Sequence, residues 1–397
     1  DLFVREFGVS PDFNSIQTAI DSAAPGDRIF VQNKAGNAPY LEDVTINKPI
    51  EQLSFAPNDL FHVQGFYSID APLNNHEFGL GKWTVTIVGM RNLAGNIEGL
   101  TNSADTVINL HVFSCQIDSG DIGDGGNDEL FAYEIAGNQL LDGTIHCRNG
   151  NVVGNDVHGV IWSTTGSSVS GDTLYIVGNR VWGTPATSYI AWDSESAYCY
   201  IANNFVTTTL GLYGHIYLRK LASGRGTNTV INNSIVSGHN SGITVSDSIF
   251  HRLNVFNNAF HHIGVYINTA LITITGNLRP EALVEIGYNV YEGAQNGAAN
   301  APETVYVHNN VEASPNFQLD PVTGRCLEPE CVDLGHPSWL YYDHDFTRND
   351  VGTAGGSFHF SNYYPLFTGA ARTYLVRTPR VAAVSGGMKA AASGYDR

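Results

Sequence analysis

Positive charge is scarce in this sequence. Lys and Arg together number 20 against 38 Asp and Glu, which gives a formal net charge of -18. A chain this acidic is repelled by the phosphate backbone of nucleic acid, so nucleic acid is not an expected partner. Charged residues of both signs make up only 15% of the chain, and its composition favours strands and turns over helices.

Long hydrophobic runs are also missing. No segment approaches the ~20 consecutive apolar residues of a membrane span, so we predict that the chain does not cross a membrane. No leader peptide is visible, and the chain begins at Asp1. We therefore expect a secreted or cell-surface protein from which a leader has been removed.

Several motifs of familiar chemistry are absent as well. We find no G-x-S-x-G, no phosphate-binding G-x-x-x-x-G-K-[ST], no H-E-x-x-H and no zinc-type spacing among the five cysteines. Cys326 and Cys331 are close enough for a local disulfide, which would fit an oxidising compartment. We expect Cys115, Cys147 and Cys199 to be buried as small hydrophobic side chains in strands.

Residues 14–32 carry the one clear helix-to-strand pattern near the start. Ile16, Ala19, Ile20 and Ala23 would form one apolar helix face, and the turn at 25–27 would end the helix before a strand at 28–32. A second strand follows within residues 40–50 and has the form Y-x-E-x-V-x-I.

A unit that contains Asn recurs between about residue 84 and residue 311. The segments VVGNDV, IVGNRV, IANNFV, VINNSIV and VFNNAFH align at steps of 24, 25, 29 and 25 residues. That period is one coil of a parallel β-helix. We predict that the aligned side-chain amides stack as a buried ladder at the ~4.8 Å strand spacing. The aligned residues are Asn155, Asn179, Asn204, Asn233 and Asn258, with Asn138 and Asn310 as outlying members.

The opening helix, the Y-x-E-x-V-x-I strand and the coil-length repeat resemble right-handed parallel β-helix proteins of the pectate-lyase-like superfamily. Residues 341–356 resemble a C-terminal signature, D-x-D-x-T-R-N-D-x-G, of uncharacterised secreted members, although Phe346 stands where Gly is usual. The resemblance implies an all-β, right-handed parallel β-helix (a solenoid of repeated coils). The expected organisation is one domain over 1–370, with a capping helix in 14–27, coils in 28–311 and a C-terminal cap region in 312–370, followed by an extended basic tail over 371–397.

Alternation of side chains in a second set of strands predicts which residues face outward. Val160, Ile190, Ile216, Ile243 and Val265 are expected inside, together with Trp162, Trp192, Leu218, Val245 and Ile267. One outward column would then contain Ile161, Ala191, Tyr217, Thr244 and Tyr266. The next outward column would contain Ser163, Asp193, Arg219, Ser246 and Asn268.

These columns suggest a polysaccharide site along an exposed strand face. A lyase needs a base beside a uronate carboxylate and a cation that stabilises the developing negative charge. The candidate catalytic residues are Asp193, Arg219, Tyr217, His215 and Lys220. The candidate substrate-binding residues are Tyr266, Glu195 and Asp247. A hydrolase would instead use two carboxylates among Asp193, Glu195 and Asp247, and a third possibility is that Asp193 and Arg219 form only a cross-strand ion pair.

Two acidic loops are candidate calcium sites, because Ca²⁺ prefers clustered oxygen ligands in flexible loops. The first loop, residues 118–129, supplies Asp118, Asp121, Asp124 and Asp128. The second, the signature loop, supplies Asp343, Asp345 and Asp350. A solvated acidic loop without metal is the alternative for the first.

The last 27 residues differ from the rest, with five bases against one acid in an Ala, Gly and Ser-rich segment. Such a segment would be disordered alone and needs a surface to order it. Residues 1–8 and 371–397 therefore suggest self-association, with the tail buried against another chain. This motivates a second hypothesis, a structural or adhesive protein that forms an extracellular fibre through its terminal segments.

Overall fold

Parallel strands dominate the structure, a computed structural model of the chain. It describes residues 1–7, 11–56, 59–70, 83–100, 108–123, 131–165, 171–183, 188–208, 216–237, 241–246, 251–262, 269–275, 278, 280–292, 294–299, 305–313, 317–343, 345–364, 372–377 and 391–395. Strands stack coil on coil into three sheets that surround one apolar core, so the chain is an all-β parallel β-solenoid, as predicted.

Sheet 1 contains thirteen strands in parallel register. In order they are β1 (Leu2–Val4), β2 (Arg28–Val31), β5 (Glu51–Ser54), β8 (Thr84–Val88), β11 (Ile108–Phe113), β13 (Phe131–Ala136), β15 (Asn151–Val153), β17 (Thr173–Val177), β20 (Tyr198–Ala202), β23 (Asn228–Ile231), β26 (Arg252–Phe256), β29 (Leu283–Gly287) and β32 (Val305–His308).

Sheet 2 follows sheet 1 in each coil, after a longer connection in the first two coils and a tight turn in the later ones. Its strands are β3 (Tyr40–Leu41), β6 (Phe61–Gln64), β9 (Met90–Asn92), β12 (Gln116–Ile117), the first parts of β14 (Gln139–Arg148) and β16 (Asp156–Thr164), then β18 (Arg180–Gly183), β21 (Phe205–Thr208), β24 (Ser234–Ser237), β27 (Ala259–His262), β30 (Val290–Tyr291) and β33 (Val311–Glu312).

Sheet 3 completes each coil before the chain returns to sheet 1. Its strands are β4 (Val44–Ile46), β7 (Tyr67–Asp70), β10 (Ile97–Leu100), the later parts of β14 and β16, then β19 (Tyr189–Asp193), β22 (Ile216–Lys220), β25 (Ser241–Val245), β28 (Thr269–Ile274) and β31 (Ala294–Ala299). A separate antiparallel pair, β34 (Arg372–Arg377) and β35 (Ala391–Tyr395), lies near the C-terminus.

The predicted N-terminal helix forms as α1 (Ile16–Ser22). Ile16, Ala19 and Ile20 are buried on its inner face. Glu42, the acid of the Y-x-E-x-V-x-I strand, accepts hydrogen bonds from the Ser15 hydroxyl and from the backbone N–H of Ile16. A carboxylate at a helix N-terminus satisfies amides that have no partner within the helix. The two hydrogen bonds of Glu42 therefore fix the position of α1 against the segment that joins β3 to β4.

The asparagine ladder is confirmed. In each coil the side-chain amide donates to the Oδ1 atom of the next Asn, at 2.9–3.0 Å, and also to a backbone carbonyl of the preceding coil. The rungs are Asn138, Asn155, Asn179, Asn204, Asn233, Asn258, Asn289 and Asn310. Asn289 is a rung that the sequence analysis missed.

The corner between sheets 2 and 3 is built by a column of glycines in the early coils. A Cβ atom on Gly95 would lie 2.3 Å from the carbonyl oxygen of Gly65, and one on Gly120 would lie 2.2 Å from the carbonyl oxygen of Gly95. Gly143 and Gly159 continue the same contact at 2.0 Å. Side chains are thus excluded there, and the backbone turns into sheet 3 without a loop.

The C-terminal segment folds back along the outside of the solenoid. Asn232 donates from Nδ2 to Asn349 Oδ1, and His336 donates its backbone N–H to Asn257 Oδ1. Phe205 and Phe317 share an apolar cluster with the cystine that joins Cys326 and Cys331, a disulfide that the spacing predicted. The described residues of 317–364 therefore cover parts of the outer faces of sheets 1 and 2.

The three other cysteines are buried, as predicted, and none of them forms a disulfide bond within the described part of the chain. They are Cys115, Cys147 and Cys199. Burial raises the pKa of the Cys199 thiol to about 12, so its reactive thiolate is suppressed.

Candidate functional site

The outer face of sheet 3 is organised into columns by the strand register. The central column runs from β14 to β28, one residue per coil, and its members are His146, Trp162, Ala191, Tyr217, Thr244 and Thr273. A flanking column contains Arg148, Thr164, Asp193 and Lys220. We call the surface formed by these two columns and Arg219 the sheet 3 strip.

The predicted register is wrong by one residue in β16. Ile161 pairs with Ile190 and is buried inside, whereas Trp162 faces outward and Ser163 faces inward. Because of the same shift, Val160 does not take the inward position that was predicted for it. The cause is Gly159, at which β16 turns from sheet 2 into sheet 3 without a loop. A slip of one residue exchanges the two faces of a strand.

The predicted strand at residues 263–268 is also displaced. β25 pairs with β28, so Ile272 and Thr273 take the positions assigned to Val265 and Tyr266. Residues 263–268, which include Ile267 and Asn268, lie outside the described part of the chain. The substrate-binding assignment of Tyr266 is therefore untested. The inner assignments of Ile190, Ile216, Ile243, Trp192, Leu218 and Val245 are confirmed.

Arg219, Asp193 and Trp162 come together on the sheet 3 strip. The Arg219 Nη1 atom lies 3.5 Å from Asp193 Oδ2. The Arg219 guanidinium also lies over the Trp162 ring, 5.4 Å from its centre, although the two residues are two coils apart. The small Ala191 between them leaves room for the long side chain to cross. The geometry is a cation–π contact combined with an ion pair.

Of the other predicted site residues, some lie on or near the strip and some fall outside the described part of the chain. Lys220 Nζ lies 3.4 Å from Glu195 Oε1, with both side chains more than half exposed, and Tyr217 is half-buried in the central column. Such an exposed pair adds little stability. His215 and Asp247 lie outside the described residues. The structure therefore places four of the five predicted catalytic residues on the sheet 3 strip, namely Asp193, Tyr217, Arg219 and Lys220.

Trp162 and His146 are site residues that sequence reasoning missed. Their rings are neighbours on the strip, 6.3 Å apart between centres. The Trp162 Nε1 atom is buried and has no hydrogen-bond partner among the described residues. The short step of 17 residues from Asn138 to Asn155 leaves no residues for a loop in β14, and the signal that could have found Trp162 is Gly159, which aligns with the corner residue Gly143 of that short coil.

A second cluster of polar and aromatic side chains lies on sheet 2 and contacts the C-terminal segment. Trp182 donates from Nε1 to Asp156 Oδ1 at 2.7 Å, and Arg180 lies 3.8 Å from the other Asp156 oxygen. Burial raises the pKa of the Asp156 carboxyl, and the Arg180 charge opposes that rise. Arg180 also contacts the Tyr364 ring. The cluster thus holds the C-terminal segment against sheet 2.

In the first acidic loop, the described aspartates form contacts with other residues of the solenoid. Asp118 forms an ion pair with Arg91 at 2.7 Å, and Asp121 accepts the backbone N–H of Thr144 from the next coil. Asp124 and Asp128 lie outside the described residues. Calcium binding by this loop remains a prediction.

The signature loop directs its acids at backbone amides. Asp343 accepts from the backbone N–H groups of Asp350 and Gly356, and Asp345 accepts from Thr347. Asp350 accepts the backbone N–H of Asp333. Across the described ranges, three or more His, Cys, Asp or Glu side chains do not converge in a way that could hold a metal ion. Calcium at this loop likewise remains a prediction.

Asp343 should make the stability of the protein depend on pH. Burial, the largest cause, raises its pKa from 3.8 to about 6. The folded state therefore holds this proton more tightly than the unfolded state, and the stabilisation is present below pH 3.8 and is lost as pH rises through about 6. Asp343→Asn should flatten the fall in unfolding free energy between pH 4 and 6 by about 1–2 kcal/mol, a value reduced for solvent screening. Denaturant unfolding across this range measures the slope.

The exposed Asp21 provides the control for that measurement. Asp21→Asn should leave the slope unchanged, because this carboxylate lies on the solvent side of α1. An Asp343→Asn protein with the slope of the parent would show that the burial of Asp343 does not govern its titration.

Comparisons with known proteins do not assign a family. No protein-family model matches the chain, and no curated protein matches it in sequence. In the part of the chain that the structure describes, no helix is long and apolar enough to cross a membrane.

Proposed function

We propose that this protein binds an acidic polysaccharide along the sheet 3 strip, outside the cytoplasm. The observation that carries the proposal is the Arg219 guanidinium, which is held over the Trp162 ring and beside Asp193 on an otherwise flat strand face. The disulfide between Cys326 and Cys331 supports an oxidising compartment. The parallel coils, the Asn ladder and the Glu42 contact with α1 support membership of the pectate-lyase-like superfamily.

The strip suits a uronate polymer for reasons of shape and charge. Stacked coils repeat side chains at the ~4.8 Å strand spacing, so a long ligand meets several of them in line. Arg148, Arg219 and Lys220 outnumber the carboxylates beside them, Asp193 and Glu195, on a chain whose net charge is -18. A guanidinium binds a carboxylate through two parallel N–H bonds, and a half-buried Trp or Tyr ring offers a surface to a sugar face.

Lyase-type cleavage is the chemistry we propose for this surface. Arg219 would stabilise the negative charge that develops beside the uronate carboxylate, and Tyr217 would protonate the leaving oxygen. His215 stays the candidate base, with Lys220 as the other candidate. Binding and cleavage are separable, because a polymer can be retained without being cut.

Arg219→Ala should weaken retention of polygalacturonate or alginate about tenfold, which is about 1.4 kcal/mol of binding free energy. The reason is the loss of the cation that faces the polymer. Affinity electrophoresis in gels that contain each polymer measures retention, and the absorbance of the unsaturated product measures cleavage. Trp162→Ala should produce a similar loss, because it removes the ring under the guanidinium.

Arg225→Ala is the matched control, since Arg225 is an exposed base in the turn that follows β22. Its retention should equal that of the parent. The proposal fails if the parent protein is neither retained nor active on any uronate polymer, or if Arg219→Ala and Arg225→Ala behave alike.

Assembly through the terminal segments remains an alternative hypothesis without a specific observation in its favour. β1 pairs with β2 of the same chain, and Leu375 of the tail is buried in a cluster with the outer side of sheet 1. These contacts order parts of 1–8 and 371–397 within one chain. Val376 and Arg377 lie in β34, while Arg380 lies outside the described residues.

A further inference from the structure

The outer face of sheet 1 has a pocket near its C-terminal end that is distinct from the sheet 3 strip. Its volume is about 250 Å³. Three adjacent strands, β26, β29 and β32, supply the lining, which consists of Arg252, Asn254, Leu283, Val284, Glu285, Tyr306 and His308. Pockets for drug-sized ligands are typically about 300–1,000 Å³, so this one has room for a smaller molecule.

The glycine at position 287 makes this pocket possible. A Cβ atom there would lie 2.7 Å from Cε1 of His308, so the imidazole ring occupies the space that a side chain would need. In that position the His308 Nε2 atom donates to Glu285 Oε1 at 3.0 Å. The Nδ1 atom is contacted by the Asn309 amide. His308 therefore forms a fixed wall and orients the Glu285 carboxylate.

The polar groups of the pocket are only partly satisfied within the protein. Asn254 is 7% exposed, and its Oδ1 atom accepts from Arg252 Nε, but its Nδ2 atom has no partner among the described residues. The Glu285 Oε2 atom lies 3.9 Å from Arg252 Nη2, too far for a direct hydrogen bond. A donor and an acceptor therefore face the same small space and leave room for a bridging hydroxyl.

Apolar surface completes the pocket. Tyr306 is 61% exposed, because β32 is the last strand of sheet 1 among the described residues and no described strand stacks on it. Leu283 is 45% exposed on the coil below. Val284 lies between them in the lining, although its side chain belongs to the inner core. A ligand with a flat apolar face and hydroxyl groups around its edge would fit both the apolar surface and the polar groups of the pocket.

We propose that this pocket binds a single neutral sugar unit, either free or at the end of a glycan chain. A sugar hydroxyl can donate to Glu285 Oε2 and accept from the Asn254 amide at once, while one ring face packs on Tyr306. A metal ion is a poorer ligand, because Glu285 is the only carboxylate in the lining and a guanidinium stands beside it. This inference does not rest on the proposed function of the sheet 3 strip.

Saturation-transfer difference NMR with D-glucose, D-galactose and L-rhamnose tests the inference on the full chain. At least one sugar should bind the parent protein. Tyr306→Ala should weaken that binding about tenfold, since aromatic residues in the centre of a site carry much of its affinity, and Tyr306→Phe should retain it. Glu285→Gln should also weaken binding, because the amide is a poorer acceptor for the bridging hydroxyl.

Trp339→Ala is the control, because Trp339 is an exposed aromatic residue of the C-terminal segment outside the pocket. It should bind sugar as the parent does. Binding of none of the three sugars would overturn the inference. So would binding that survives Tyr306→Ala and Glu285→Gln but is lost in Arg219→Ala, since the sugar would then occupy the sheet 3 strip.

Discussion

Gly120→Ala should destabilise the protein by about 4 kcal/mol or more, enough to prevent folding of a marginal domain. Gly120 has a φ of +140° at the corner between sheets 2 and 3. Its Cβ atom would lie 2.2 Å from the Gly95 carbonyl oxygen and 2.7 Å from the carbonyl carbon. Both atoms belong to the backbone of the preceding coil, so no rotamer change relieves the clash. The yield of soluble protein and the denaturation midpoint measure the effect.

Gly171→Ala separates the clash from the cost of the backbone conformation. Gly171 has a φ of +85°, but nothing lies within 4 Å of its Cβ position. This substitution should cost only about 1–2 kcal/mol, the penalty of a left-handed conformation for a residue with a side chain. Equal losses for the two variants would show that backbone strain, and not the stacking of corners, limits the fold.

Asn204→Ala should lower the free energy of unfolding by about 3–6 kcal/mol. Asn204 is fully buried in the middle of the ladder. Its loss removes the acceptor for the backbone N–H and the Nδ2 atom of Asn179, and the donor to the Ile176 carbonyl oxygen. Three buried polar groups then each lose a hydrogen bond where water cannot replace it, although Asn179 Nδ2 keeps its bond to the Val152 carbonyl oxygen. Equilibrium unfolding in guanidinium chloride measures the loss.

Asn310→Ala is the matched variant. Asn310 makes the same three kinds of hydrogen bond, to Asn289 and to the Ile286 carbonyl, but it is half-buried in the coil of β32 and β33. Water can replace the lost groups there, so the expected cost is only about 1 kcal/mol. If Asn204→Ala costs no more than Asn310→Ala, burial of the ladder does not contribute to stability as we infer.

The ladder could be predicted because its cause is visible in the sequence. The residue before each rung adopts a positive φ, and Gly and Asn tolerate that conformation best. Gly154 and Gly178 precede two of the rungs, and Asn203 and Asn232 precede two others. The rung at Asn289 escaped notice because Tyr288 takes that position with a φ of 57°. Its neighbours are 31 and 21 residues away, outside the regular step.

The candidate site was harder to predict because register depends on corner geometry. The register of Asp193 was predicted wrongly, because a β-bulge after Trp192 pairs it with Lys220 and not with Arg219, although the Arg219 side chain still reaches Asp193. Tyr217 could be assigned to the column of Ala191, since β19 and β22 keep the same alternation up to Trp192 and Leu218. Trp162 could not, because the single residue Gly159 replaces a loop and shifts the alternation. The contact between Arg219 and Trp162 spans two coils, and sequence spacing alone carries no information about such reach.

The pocket on sheet 1 was beyond prediction for a different reason. It exists because β32 is the last described strand of sheet 1, which leaves Tyr306 exposed, and because Gly287 admits the His308 ring. Both causes are properties of neighbouring strands and not of any local motif. A glycine within a strand indicates close approach in general, but the identity of the approaching group requires the structure.

Each inner Asn of the ladder donates to the Asn of the following coil, and its Oδ1 atom accepts from the Asn of the preceding coil. The molecule is therefore modular along its axis: a whole coil inserted between two rungs would meet identical neighbours on both sides, whereas an insertion of a few residues within a strand would not. We expect such a protein to change length by duplication of entire coils. Each added coil would extend the outer face of sheet 3 by one strand spacing and lengthen the ligand that it can hold.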